Sequence, residues 1–205
     1  MERGLEKSLF DDLITYLLPN RIYLYVNSIF RSGVLLYEKF TFFLPVCRII
    51  FTSVMGTLLH FAYDLSNQSA FFALFSAINE SVWEHMKLLF FPMLVFAWIE
   101  SRSFAGEYES FWCVKLIGIV SGLVMIPTLF YTYTGVFGLT KDFINIAIFF
   151  LVVAFTYILE TRLLKQGKVP CRFPKAAVAL LLVIAVAFVV FTFNPPGIPL
   201  FKEPS

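Results

Sequence analysis

The chain has 205 residues, 59% of them hydrophobic and 15% charged, with a net charge of +2 and a mean hydropathy of +0.80. Soluble domains carry about 25% charged residues, so this composition excludes an ordinary soluble domain, and so small a net charge gives no reason to expect a nucleic-acid partner. Alternating strands of about ten residues, the mark of a membrane barrel, are absent. What remains is an all-α fold, a polytopic bundle of about five transmembrane helices with an interfacial helix at its N-terminus.

Residues 1–40 read as an amphipathic extension lying on the cytoplasmic membrane surface. Apolar residues there are mixed with Asp11, Asp12 and Arg21, and Pro19 interrupts them, which does not fit a secretory signal. The bundle occupies 41–194. Its helices are expected over 48–63 (starting as early as Phe42), 79–99, 112–131, 142–159 and 176–193. The last is an uncharged run of 18 residues, close to the minimum for a crossing. Residues 195–205 form a Pro-rich tail that leaves the last helix because Pro cannot continue it. Its Ile198, Leu200 and Phe201 are expected to fold back over the extracytoplasmic face. No internal repeat supports an inverted-repeat transporter. Gly118 and Gly122, four apart, offer a close helix contact, within the chain or in a homo-oligomer.

Loop charges orient the bundle. Arg162, Lys165, Lys168, Arg172 and Lys175 crowd one short connection, with Glu160 the only nearby acid, and such a loop belongs on the cytoplasmic side. Alternation then places Arg31, Lys39, Arg48 and the Arg102 loop inside too. The N-terminus is thus cytoplasmic and the C-terminus extracytoplasmic, in a plasma membrane. Cys47, Cys113 and Cys171 all fall on the inner side, where unpaired thiols suit a reducing compartment.

The most informative stretch is N-E-S-V-W-E-H-M-K at 79–87, four ionisable residues in an otherwise membrane-grade segment. The apolar residues after it, 88–99, reach only about 18 Å as a helix, too short for a hydrocarbon layer of about 30 Å. Either the charged run lies inside the membrane or 71–78 dips into it. Intramembrane ionisable residues mark functional sites by default. The assumed orientation gathers His60, Tyr63, Asp64, Asn79, Glu80, Trp83, Glu84, His85, Lys87, Tyr131, Tyr133, Lys141, Asp142, Asn145 and Asn194 in one extracytoplasmic layer.

G-T-L-L-H-F-A-Y-D at 56–64, the N-E-S-V-W-E-H-M-K-L-L-F-F-P run at 79–92, Y-T-Y-T-G at 131–135 and the P-P-x-x-P-L-F tail resemble an uncharacterised family of small prokaryotic multi-pass membrane proteins. The likeness covers roughly Arg48 to the C-terminus. It implies a bacterial or archaeal plasma membrane and says little of activity.

Read as one helix from Asn79, the run puts Glu80, Glu84 and Lys87 on one stripe and His85 about 100° from Glu84. His60 and Asp64 share a face of the first helix, Asp142 and Asn145 a face of the fourth. Imidazole plus carboxylate is a donor set for Zn²⁺, Mn²⁺ or Fe²⁺. The first reading is therefore a metal-dependent membrane hydrolase or transferase acting on a membrane lipid. A divalent metal is held by His60, His85 and Glu84 (Glu80 or Asp142 being the other carboxylates), and Glu80, Glu84, His85 and Asp142 supply catalytic groups. No H-E-x-x-H supports it. The second is a small transporter or proton pathway. The third is structural: Glu84 pairs with Lys87, Glu80 bonds Asn145 or Lys141, Asn79 caps a helix, and Trp83, Tyr63, Tyr131 and Tyr133 form an interfacial belt.

Overall fold

The structure, a computed structural model, describes residues 45–104 and 110–204. The N-terminal extension expected over 1–40 lies outside the described residues. These comprise α1 (Pro45–Leu65), a short α2 (Ala70–Ala73), α3 (Val82–Phe104), α4 (Phe111–Phe137), α5 (Asp142–Gln166), α6 (Pro174–Phe193) and a 3₁₀ turn at Pro199–Phe201. No strand occurs among the described residues, and five of the helices are long and apolar enough to cross a membrane. Even the 20 residues of α6 rise about 30 Å, the thickness of the hydrocarbon layer.

Helix ends follow local chemistry. Pro174 opens α6 at a position where its missing N–H costs nothing. Gly138 and Gly167, at φ 65° and 59°, close α4 and α5 in the left-handed conformation that glycine adopts without strain. Both helices therefore run past their expected ends near 131 and 159, because the stop is the glycine and not the first polar residues. α3 and α4 continue through Pro92 and Pro127.

The core gathers on α4, which packs against α3, α5 and α6. Leu89, Phe90 and Met93 of α3 meet Ile119, Val152, Val153, Leu181 and Phe188, all buried. Gly122 permits this approach: a Cβ there would fall 2.7 Å from both Leu89 and Thr156 side chains, and one on Gly118 would collide with Glu160. The two glycines thus spend their small surface inside the chain, on α3 and α5. Outward-facing apolar residues such as Val183 and Val186 suit a lipid environment. The tail folds back, with Phe201 packed against Trp83 (centroids 4.7 Å apart) and edge-on to Phe191.

One end of the bundle contains a buried charge quartet, of which the sequence reading placed Glu160 in a loop. Arg48 of α1 donates to Glu100 of α3. Lys115 of α4 places its Nζ 2.6 Å from a carboxylate oxygen of Glu100 and 2.6 Å from one of Glu160 on α5. The contact with Glu160 is a directed hydrogen bond, that with Glu100 an ion pair by distance only. All four residues are at most 4% exposed, and the two cations balance the two anions. Glu160 is therefore an interior residue, not a loop charge, and Arg48, at the start of the first helix as expected, is buried with it. At the same end Cys113 is joined to Cys171 by a disulfide, and Cys47 is free. Two of the three cysteines expected as free thiols are paired, so cysteine usage no longer supports a reducing compartment on that side.

Candidate functional site

At the opposite end, the chain between α1 and α3 (66–81) is secured from both sides. Ser76 is fully buried and stands between two partners one helical rung apart on α1. Its Oγ accepts from the Tyr63 N–H at 3.0 Å and donates to the Leu59 carbonyl. A hydroxyl set into a helical ladder bends or opens it, and this rung spans His60. On the other side, Lys87 donates to the Ala73 carbonyl and to Thr192 Oγ1 (both 2.9 Å) and pairs with Glu84 at 2.6 Å. Glu84 accepts from the Ile78 N–H at 3.0 Å and from Thr192 at 3.1 Å. Every one of these groups is partnered, and the pair clamps the 66–81 segment to α3 and α6.

The start of α3 then decides where Glu80 points. Asn79 Oδ1 accepts from the Ser81 N–H and Ser81 Oγ from the Glu84 N–H, so Ser81 is the N-cap and Asn79 a turn residue before it. Glu80 precedes the helix and is free of its phase. It swings to the two histidines: its Oε2 lies 3.3 Å from His85 Nε2 and its Oε1 3.9 Å from His60 Nε2. The imidazole rings are 5.4 Å apart, and one ligand atom from each of the three residues lies within 4.8 Å of the others. Donors around a tetrahedral ion with bonds of about 2.0–2.1 Å are separated by about 3.3 Å, so the three are spaced to close on one ion with little movement.

His85 is oriented for this. Its Nδ1 hydrogen-bonds the Ser81 carbonyl at 2.9 Å. A carbonyl only accepts, so Nδ1 carries a proton, and Nε2 is the ring nitrogen turned to Glu80. His60 Nδ1 is buried without a partner.

The three residues form one end of a cavity of about 360 Å³ between α1 and α5, with walls from α3 and α4. Asp142 and Asn145 line it beside the histidines; Gly56, Leu88, Ile126, Phe149 and Phe150 line the rest. Tyr133 donates to Asn145 Oδ1, which leaves the Asn145 amide N–H groups for the cavity.

Of the residues read from the sequence, His60, Glu80, His85, Asp142 and Asn145 come together, with Tyr133 behind Asn145. Glu84 does not: it faces Lys87 and Thr192, and Glu80 is the carboxylate that stands with the two histidines. Asp64 is exposed beyond the cluster, and Tyr63 contributes its backbone to Ser76. Trp83, half-buried, packs among Phe188, Phe191 and Phe201. Ser76, Ser81 and Thr192 were missed. Only Ser81 carried a signal, the S-x-x-E spacing of a capping box before an apolar run.

One family model matches the chain, that of a family of unknown function (DUF6512), over residues 33–204. No curated protein and no solved structure matches it.

Proposed function

The chain belongs to this family of unknown function, and we propose that it is a membrane-embedded hydrolase or transferase working with a divalent transition metal held by His60, Glu80 and His85. The observation that carries the reading is the commitment of His85 Nδ1 to a backbone carbonyl, with Nε2 turned to a carboxylate at 3.3 Å. Metal-binding histidines are oriented in this way, through the ring nitrogen that does not bind the ion. Two imidazoles and one carboxylate suit Zn²⁺, Mn²⁺ or Fe²⁺ and leave a coordination position open.

Such an ion supplies Lewis acidity and lowers the pKa of a bound water to about 7. Asp142, on the wall of the same cavity, is the group placed to take a proton from that water. The Asn145 amide, its oxygen engaged by Tyr133, offers N–H donors to a substrate oxygen. The location that goes with this reading is a plasma membrane with the site on the extracytoplasmic side, supported by the basic loop over 162–175.

Elemental analysis of the purified full chain tests the proposal. Close to one equivalent of Zn, Mn or Fe per chain is expected, lost in His60→Ala and in His85→Ala and retained in Asp142→Asn. A folded chain that takes up none of these metals overturns it and leaves an imidazole–carboxylate pair suited to proton transfer.

A further inference from the structure

We infer that the cavity is a slot entered sideways from the bilayer, and that its ligand is a membrane lipid, headgroup at the His60–Glu80–His85 end and one acyl chain along the apolar depth. The identity of the headgroup end rests on the proposed metal site; the slot itself does not.

The slot is built from two facing stripes. On α5, Asp142, Asn145, Ile146, Phe149 and Phe150 recur at the spacing of one helical face, and Gly56, Thr57, His60 and Phe61 face them from α1. From 142 to 150 the helix rises about 12 Å, and the lining changes in that distance from carboxylate and amide to phenyl rings. The polarity is thus graded along the membrane normal, as it is along a lipid.

The inner end is shut where the helices touch: a Cβ on Gly56 would lie 2.6 Å from the Phe149 ring. The side is open. Phe61, Ile146 and Phe150 line the cavity and are still 53%, 57% and 44% exposed. All three belong to helices long and apolar enough to cross a membrane, and in a bilayer this opening would face the hydrocarbon. A water-soluble ligand gains nothing from an apolar opening at that depth. A lipid already has its chain there and reaches the polar end without crossing water.

The test uses the full chain in phospholipid vesicles doped with a phospholipid bearing a photoactivatable diazirine on one acyl chain. Label is expected to favour Phe149 and Phe150 over Val183 and Val186 of α6 by about tenfold, one order of magnitude in occupancy. Ile146→Trp, which fills the slot, should bring Phe149 and Phe150 down to the α6 level while metal content is unchanged. Equal labelling of slot and α6 in the unaltered chain overturns the inference, since both faces are exposed to lipid. The two readings fail separately. Slot labelling in a chain that takes up no metal removes the metal and keeps the slot; a metal-loaded chain without slot preference removes the slot alone.

Discussion

The two ends of this bundle hold ionisable side chains in opposite ways. At one end Arg48, Glu100, Lys115 and Glu160 are buried and neutralise one another. At the other, His60 and His85 are about 30% exposed, Glu80 is 65% exposed, and a ring nitrogen of His60 has no partner. In the quartet each charge faces its counter-charge, although Glu100 Oε2 and Glu160 Oε1 have no hydrogen-bond partner. The histidine cluster keeps unused coordination capacity beside open space. What sets the histidine cluster apart as the candidate site is that its groups do not neutralise one another and lie on an open cavity. The Glu84–Lys87 pair makes the same point at the histidine end itself, where it is adjacent in sequence to the cluster yet closed on its own partners.

This contrast can be broken in order of expected effect. Lys115→Met leaves the buried Glu160 without its cation and Glu100 with Arg48 alone, and removing one partner of a buried pair costs about 3–5 kcal/mol. Thermal unfolding in detergent should show a large loss of stability, with metal content intact in whatever remains folded; a variant as stable as the parent would deny the quartet its structural role. Ser76→Ala lies in between. Stability should change little, since the Leu59–Tyr63 rung can close on itself, but metal affinity should fall about 10-fold or more, the usual effect of removing a residue that orients a ligand. Calorimetric titration with Zn²⁺ measures it, and unchanged affinity would separate Ser76 from the placement of His60. Asp64→Asn should do almost nothing. Its side chain is exposed beyond the cluster, and surface changes of this kind stay within about 0.5 kcal/mol. A marked loss of metal in that variant would enlarge the site beyond the residues assigned to it.

The five spans were legible because apolar runs of sufficient length have one stable solution in a bilayer. The layer holding the site was legible too, since alternation of the spans fixes which helix ends share a face. The choice among carboxylates was not. Glu80, Glu84 and Lys87 form a stripe only if the helix begins at Asn79, and it begins at Val82. Glu80 stands two residues before the first helical position, and that is enough to exchange the candidate ligand for its neighbour. The S81-V82-W83-E84 spacing could have placed the start correctly. Lys115, Gly118 and Gly122 likewise share a helical face, so an interior lysine beside two small residues was open to recognition. Ser76 was not: a single serine in F-F-A-L-F-S-A-I announces nothing, and its role depends on a contact with Leu59, 17 residues away. The Cys113–Cys171 bond, across 58 residues, had no local signature either.

The rung of α1 completed by Ser76 has a consequence for how the molecule is made. A membrane helix ordinarily satisfies its own backbone and can insert alone. The last turns of α1 are instead finished by a hydroxyl from a later part of the chain, which is itself docked by Lys87 and, through Thr192, by the final span. That turn is therefore completed only after synthesis has reached α6, so the spans are laid down one at a time but the proposed site is assembled only when the last of them arrives.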